Sequence, residues 1–448
     1  MPRSSPACRR RVTALPRAWS RLPTRKRWVP STALTACSTA KQCSQRAARR
    51  RGFLRGPRSR GDYLAVEFNL ENGKIIVSDL VSVQALDRGF FGSAVNGKKI
   101  KLELMPEEAL YLMDVRGATC RRSGEQISFN QVAGEFQGRK FLARYFCFKE
   151  WRDRGLVARS ASEAAGNYGR SPLVKYPAQD FTCPRVKATG LLFYDDLMSV
   201  IDDDDAGWQL YEEHWFGQFG TYKAKKHGRY LKLDAYETLF LMRHGGYKLN
   251  VKEARLVREA KKRRPDFLAL YEVYEDFRMR GFVVKTGFKF GTHFRLYFPG
   301  ASPKMADNEW MHSKHVIHVF PRSAKMLIGE WARAIRVAHG VKKTFILAIP
   351  GAEREAKAEL DFLLYHREGG LPENPRKNKP KYAMLALSEE EEIGGEELAR
   401  SIGKSKELGL DLLLAICDRE TSVTCYRVKR IDLPKSKYEY YEIEWVQP

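Results

Sequence analysis

LELMPEEALYLMDVRG at residues 102–117 and LKLDAYETLFLMRHGG at residues 231–246 align without gaps, with seven identities in sixteen. A second pair, FLARYFCFKEWRDRGLVARS at 141–160 and FLALYEVYEDFRMRGFVVKT at 267–286, shares eight in twenty. The offsets are 129 and 126, so both blocks belong to one duplicated unit. PEEALYLM opens with proline where a helix begins and sets Leu110 and Met113 on one face, as a short buried helix requires. Asp234 takes the N-terminal part in the second copy, and Gly155 and Gly281 close the longer helices, where a left-handed cap is natural. A fainter repeat follows: WARAIRVAHGVKKTFILAI at 331–349 over LARSIGKSKELGLDLLLAI at 398–416, each a helix leading into an apolar strand. The order is therefore N-half, N-half, C-half, C-half. We expect a tail at 1–61, a half-module at 62–160, a linker at 161–189, a complete unit with halves 190–276 and 277–367, a second linker at 368–380, and a last half-module at 381–448.

The chain has 448 residues, 43% of them hydrophobic, enough for several cores. Its 79 Lys and Arg outnumber 54 Asp and Glu, for a formal charge of +25. Residues 1–61 hold 17 of those cations and no acid, so they are read as a disordered tail; a transit peptide or a basic arm for nucleic acid would share that composition. The remaining body, at +8, still favours a polyanionic partner. No apolar run approaches the roughly 20 residues of a membrane helix, and the eight cysteines form no CxxC pair. A cytoplasmic, reducing setting is expected. The run DDDD at 202–205 reads as an exposed loop.

The chemistry-bearing residues lie between 281 and 350. THFRLYF alternates like a strand and ends at Pro299, placing Tyr297 at a strand mouth; His312 opens the next strand. On a helix from about Gly329 to Lys343, Arg336, His339 and Lys343 recur at three and four and form a basic stripe. Each has a plain alternative: a core tyrosine, a solvated basic face. His312, His315 and His318 do not share one strand face, which argues against a metal site. Together, a tyrosine, a histidine and a lysine at neighbouring strand mouths could run metal-free phosphoryl transfer, which needs a base, an acid and a fixed cation.

GFVVKTGFKFG, FRLY, HSKHVIHVFP and IRVAHGVKKTFILAI resemble the catalytic core of the archaeal tRNA-splicing (tRNA-intron) endonucleases. The resemblance implies an α/β (α+β) fold with duplicated modules: an antiparallel sheet with helices in each N-half, a mixed sheet flanked by helices in each C-half. It implies an RNA endonuclease, with no cofactor and no metal, that excises introns from precursor tRNA at bulge-helix-bulge junctions and leaves 2′,3′-cyclic phosphate and 5′-hydroxyl ends. Tyr297, His312 and Lys343 would be the catalytic triad and Arg336 the grip on a bulged nucleotide. Leu410 stands where the last half-module would carry the lysine, so that copy should be inactive and, with the first half-module, form a structural pseudo-unit. The resemblance implies the fused form with three segments, completed by a homodimer through an acidic turn at Asp418 and Glu420. Rival readings are a non-catalytic RNA-binding scaffold and a magnesium nuclease; the chain lacks the acidic-x-Lys strand of the latter.

Overall fold

The computed structural model describes residues 66–95, 100–169, 171–220, 228–303 and 312–447. The tail at 1–61 and residues 304–311 of the loop between Tyr297 and His312 lie outside the described residues.

Each N-half is a sheet packed on short helices, six strands over residues 67–127 and four over 189–249. The sheets are antiparallel except for one parallel pair in each, Glu67–Glu71 with Thr119–Arg122 and Thr189–Phe193 with Lys248–Leu249. The duplicated helices are α1 (Pro106–Arg116) and α2 (Phe141–Asp153) in the first copy, and α4 (Ala235–Phe240) and α5 (Phe267–Arg278) in the second; α3 (Asp204–His214) precedes α4. Proline opens α1, and Glu108 accepts from the Met105 N–H at 3.0 Å. In α4 the Asp234 side chain accepts from Glu237 N–H at 2.8 Å while Glu237 accepts from Asp234 N–H at 3.2 Å, a reciprocal cap. Of residues 202–205, Asp202 and Asp203 lie in the exposed loop expected of them, whereas Asp204 and Asp205 form the first turn of α3, where the helix dipole favours acids; Asp203 accepts from Ala206 N–H and caps the helix.

The C-halves join into one central sheet. Its ten path strands, numbered along the chain, are β1 (Val157–Ser160), β2 (Val283–Thr286), β3 (Phe294–Tyr297), β4 (His315–Val319), β5 (Thr344–Ala348), β6 (Phe362–Tyr365), β7 (Tyr382–Ser388), β8 (Asp411–Cys417), β9 (Val423–Asp432) and β10 (Tyr440–Val446). Their spatial order is 2-3-4-5-10-9-8-7-6-1. Both ends repeat one pattern, two antiparallel pairings and then a parallel one, β4 with β5 and β7 with β8. The sheet thus has internal two-fold order about the β9–β10 contact. Helices α6 (Ile328–Gly340) and α7 (Gly395–Glu407) bury Trp331, Ile335, Leu398 and Ile402 in a core shared with β4 to β8.

Two features depart from the expected limits. Strand β6 pairs with β7 and β1, so the sheet groups residues 362–365 with the last half-module and not with 277–367. Strand β10 pairs with β5, so the half expected at 277–367 receives its neighbouring strand from residues 440–446. The stretches expected as linkers are also structured to some extent: Val174–Lys175 pairs with β9, and Arg367–Glu368 forms a small hairpin with Leu371–Pro372.

Candidate active site

Strand register brings three chain segments to one corner. In β3 Leu296 lies opposite His315, and His315 lies beside Thr344 of β5. Tyr297 therefore ends its strand where β4 and β5 begin. Two details differ from expectation: β4 starts at His315, so His312 lies three residues before it, and α6 stops at Gly340, so Lys343 is not on the helix stripe. Lys342 adopts a left-handed φ of 55° and the Lys343 N–H bonds back to Ala338 O at 3.0 Å, which turns the chain from helix into strand.

That turn aims the lysine inward. Lys343 is 9% exposed, and its ammonium donates to the Ser313 carbonyl and, at 3.0 Å, to Ser313 Oγ, tying it to the residue next to His312. The Phe290 ring lies 4.6 Å from the ammonium. Tyr297 is buried, packs its ring 4.8 Å from that of Trp215, and accepts from Arg295 Nη1 at 3.2 Å. Burial, with the charges of Lys314 and Lys343, pushes the His315 imidazole down to about 4, and burial pushes His293 to about 4 and His318 to about 3. Those rings stay neutral near pH 7; His312 is the exposed histidine of the segment.

Arg336 is not brought into this corner. It is exposed on α6 beside Tyr426 of β9. A cavity of about 350 Å³ does adjoin Lys343, lined by His339, Lys342, Thr344, Ile443 and the half-exposed Trp445, together with Glu442 and Glu444. Trp445 carries no signal in the sequence, because only the β10–β5 pairing brings it there. Among the described residues no cluster of three His, Cys, Asp or Glu is arranged to hold a metal.

A buried latch fixes the N-half against this corner. Glu237 Oε1 accepts from Gly217 N–H at 2.9 Å and from Lys285 Nζ at 2.7 Å, and Lys285 also donates to Gly217 O. Burial pushes the Lys285 ammonium down, and Glu237 opposes that shift. Gly217 has φ 63°, and a Cβ there would sit 2.6 Å from Lys232 O, so no other residue fits. The first copy repeats the arrangement with Glu108, Gly92 and Arg159. Arg278 lies 4.0 Å from the Phe216 ring as Arg152 lies 3.7 Å from that of Phe91.

Residues 267–359 match the tRNA intron endonuclease catalytic C-terminal domain, and residues 66–133 and 195–260 each match the tRNA intron endonuclease N-terminal domain. The tRNA-splicing endonuclease of Methanopyrus kandleri is 36% identical over 157 residues, 33% of this chain and 80% of that protein. That of Hyperthermus butylicus is 33% identical over 166 residues, 35% of this chain and 87% of that protein. The chain belongs to the tRNA intron endonuclease family. In this endonuclease the duplicated sheet supplies an internal comparison with the site. Tyr365 ends β6 opposite Val157 as Tyr297 ends β3 opposite Val283, so FLLY at 362–365 is the counterpart of FRLY at 294–297. The shared Phe, Leu and Tyr are a legible signal that the helix-and-strand repeat alone does not include. Lys379 lies three residues before β7 where His312 lies three before β4, and Leu410, 2% exposed, follows a left-handed Gly409 as Lys343 follows Lys342. The second corner keeps the tyrosine and lacks the histidine and the lysine.

Proposed function

We propose that this endonuclease excises introns from precursor tRNA at bulge-helix-bulge junctions by metal-independent transesterification. Tyr297 takes the proton of a 2′-hydroxyl, the O2′–P bond forms, the P–O5′ bond breaks, and His312 gives its proton to the departing oxygen. Lys343 offsets the charge that builds on the non-bridging oxygens. The products are a 2′,3′-cyclic phosphate and a 5′-hydroxyl end. The observation that carries this reading is the meeting of Tyr297, the His312 segment and Lys343 at three adjoining strand ends, while the related corner has lost two of the three. Residues 190–361, extended by β10, act as the catalytic unit; the first half-module, β6 and the last half-module form its structural pseudo-unit. Trp445 beside the corner, and Arg336 outside it on α6, act as contacts for an unpaired nucleotide. Free Cys120, Cys147, Cys183, Cys417 and Cys425 suit a reducing cytoplasm.

One chain then carries one active site, and a substrate with two cleavable bulges is served by a homodimer. The turn between β8 and β9 supports that reading: Glu420 is exposed at its tip, while the Asp418 carboxylate is engaged by the N–H groups of Glu420 and Ser422, both at 2.9 Å. Asp418 shapes the turn and Glu420 presents the charge. The test of the activity is cleavage of an intron-containing precursor tRNA in excess chelator, followed by analysis of the ends. Continued cutting with cyclic phosphate is expected; arrest in chelator or a 5′-phosphate product refutes the chemistry.

A further inference from the structure

We propose that Arg295 is the positioning residue for Tyr297, holding the phenol oxygen toward the substrate and stabilising its anion. The inference rests on the assignment of Tyr297 as base. An unperturbed phenol ionises near pH ~10 and is a poor base at neutrality, so the site needs a cation on the phenol oxygen. Arg295 supplies one: Nη1 donates to Tyr297 Oη at 3.2 Å, Nε is anchored on Thr286 O at 2.8 Å, and the side chain is 8% exposed. A fixed guanidinium that donates to the ionised form favours that form, and burial strengthens the effect.

The second corner separates this role from architecture. The buried cation of the neighbouring strand is kept in both units, Lys285 with Glu237 and Arg159 with Glu108. The tyrosine is kept as well. The arginine is not: Leu363 occupies the Arg295 position, two residues before Tyr365. Arg295 thus goes with His312 and Lys343, the groups absent from the silent corner. Tyr365 has no arginine two residues before it on its own strand; burial pushes it up to about 12, with Tyr168 and Glu163 adding to the shift and Arg159 on the neighbouring strand opposing it. The other titratable groups on the elements around Tyr297 are Lys285 with its counter-ion Glu237 on β2 and α4, His214 beside Trp215, and His312, Lys314, His315 and Lys343 at the heads of β4 and β5.

The experiment is the pH dependence of the single-turnover rate, under saturating full-length enzyme, for Arg295→Gln, Arg295→Leu and Arg295→Lys. The glutamine and leucine variants should lose about 100-fold at pH 7 and regain rate as pH rises, with RNA affinity unchanged; lysine should restore most of the rate. Leucine is the residue the related strand carries, which guards against loss of the fold, and melting temperatures check it. A wild-type rate at pH 7, or a loss equal at every pH in a folded variant, overturns the proposal. Tyr297→Phe is run alongside: full activity there refutes the base assignment itself, whereas a dead Tyr297→Phe with an active Arg295→Leu refutes only the role of Arg295.

Discussion

Lys343 and Leu410 occupy the same place after corresponding helices, and their surroundings explain why they are not interchangeable. The ammonium of Lys343 has Ser313 O and Oγ as acceptors, whereas Leu410 is packed among Leu412, Ile402 and Leu398 in the core of the sheet. Removing the lysine by Lys343→Ala should lower the single-turnover rate by about 10²–10³ with RNA affinity nearly kept, as measured under saturating enzyme and by direct binding; a wild-type rate would reduce Lys343 to a binding cation. Introducing one by Leu410→Lys buries an unpaired charge and should destabilise the fold by a few kcal/mol in urea melts without adding activity. Trp445→Ala should weaken RNA binding by about 1–3 kcal/mol if a base stacks on it, and an unchanged dissociation constant would remove it from the interface. Tyr297, His312 and Lys343 are legible in the sequence because they sit in motifs. Arg295 stands inside FRLY, and its contrast with the leucine at 363 becomes visible once FLLY is set against FRLY, an alignment that strand pairing justifies.

Among the elements, β4 carries a pH dependence of its own. His315 and His318 lie on it, His293 donates no charge beside it, and the three imidazoles are held neutral to about 4, 3 and 4 respectively. An unfolded histidine takes up its proton near ~6.5, so between there and about 4 the unfolded chain binds more protons than the folded one. Stability is therefore complete above that range and is lost as pH falls through it. Melting temperatures should be flat above pH 7 and decline toward pH 4, and His318→Phe, which keeps the stack on Phe345, should flatten the decline. A slope identical to wild type would show that the ring is already charged in the fold. Helix and strand periodicity makes most of these elements readable, but not where they end: the spacing of Lys343 continues the helical stripe, and the left-handed Lys342 that breaks it carries no local signature such as glycine. Nor can local pattern tell that FLLY pairs with β7 across the sheet, since partner choice is a long-range property.

For the whole molecule, the sheet order makes the two C-halves mutually dependent. A chain stopped at Leu433 would lack β10 and leave β5 and β9 each paired on one side only, with an open edge on the other. It should melt lower and self-associate through those open edges, and a peptide of residues 434–448 added in trans should reverse both effects in calorimetry and light scattering; a monomer of unchanged stability would mean that β10 is dispensable. Dimerisation is best tested by Glu420→Lys alone, because changing Asp418 would unmake the turn that displays it. The single variant should shift the light-scattering mass toward one chain at micromolar concentration, and a wild-type mass would exclude this turn from the contact. The repeat announces four half-modules from sequence alone. Their interlocking does not show there, because the strand that completes the catalytic half comes from a distant stretch of the chain.

That displacement has a consequence for synthesis. Ribosomes add roughly 5–20 residues per second, and β10 follows β5 by about ninety residues. For several seconds a nascent polypeptide has Tyr297, His312 and Lys343 outside the exit tunnel while β5 waits for its neighbour and the groove beside Lys343 lacks Trp445. On the proposed assignment, Tyr297, His312 and Lys343 are made well before the strand that completes the groove beside them.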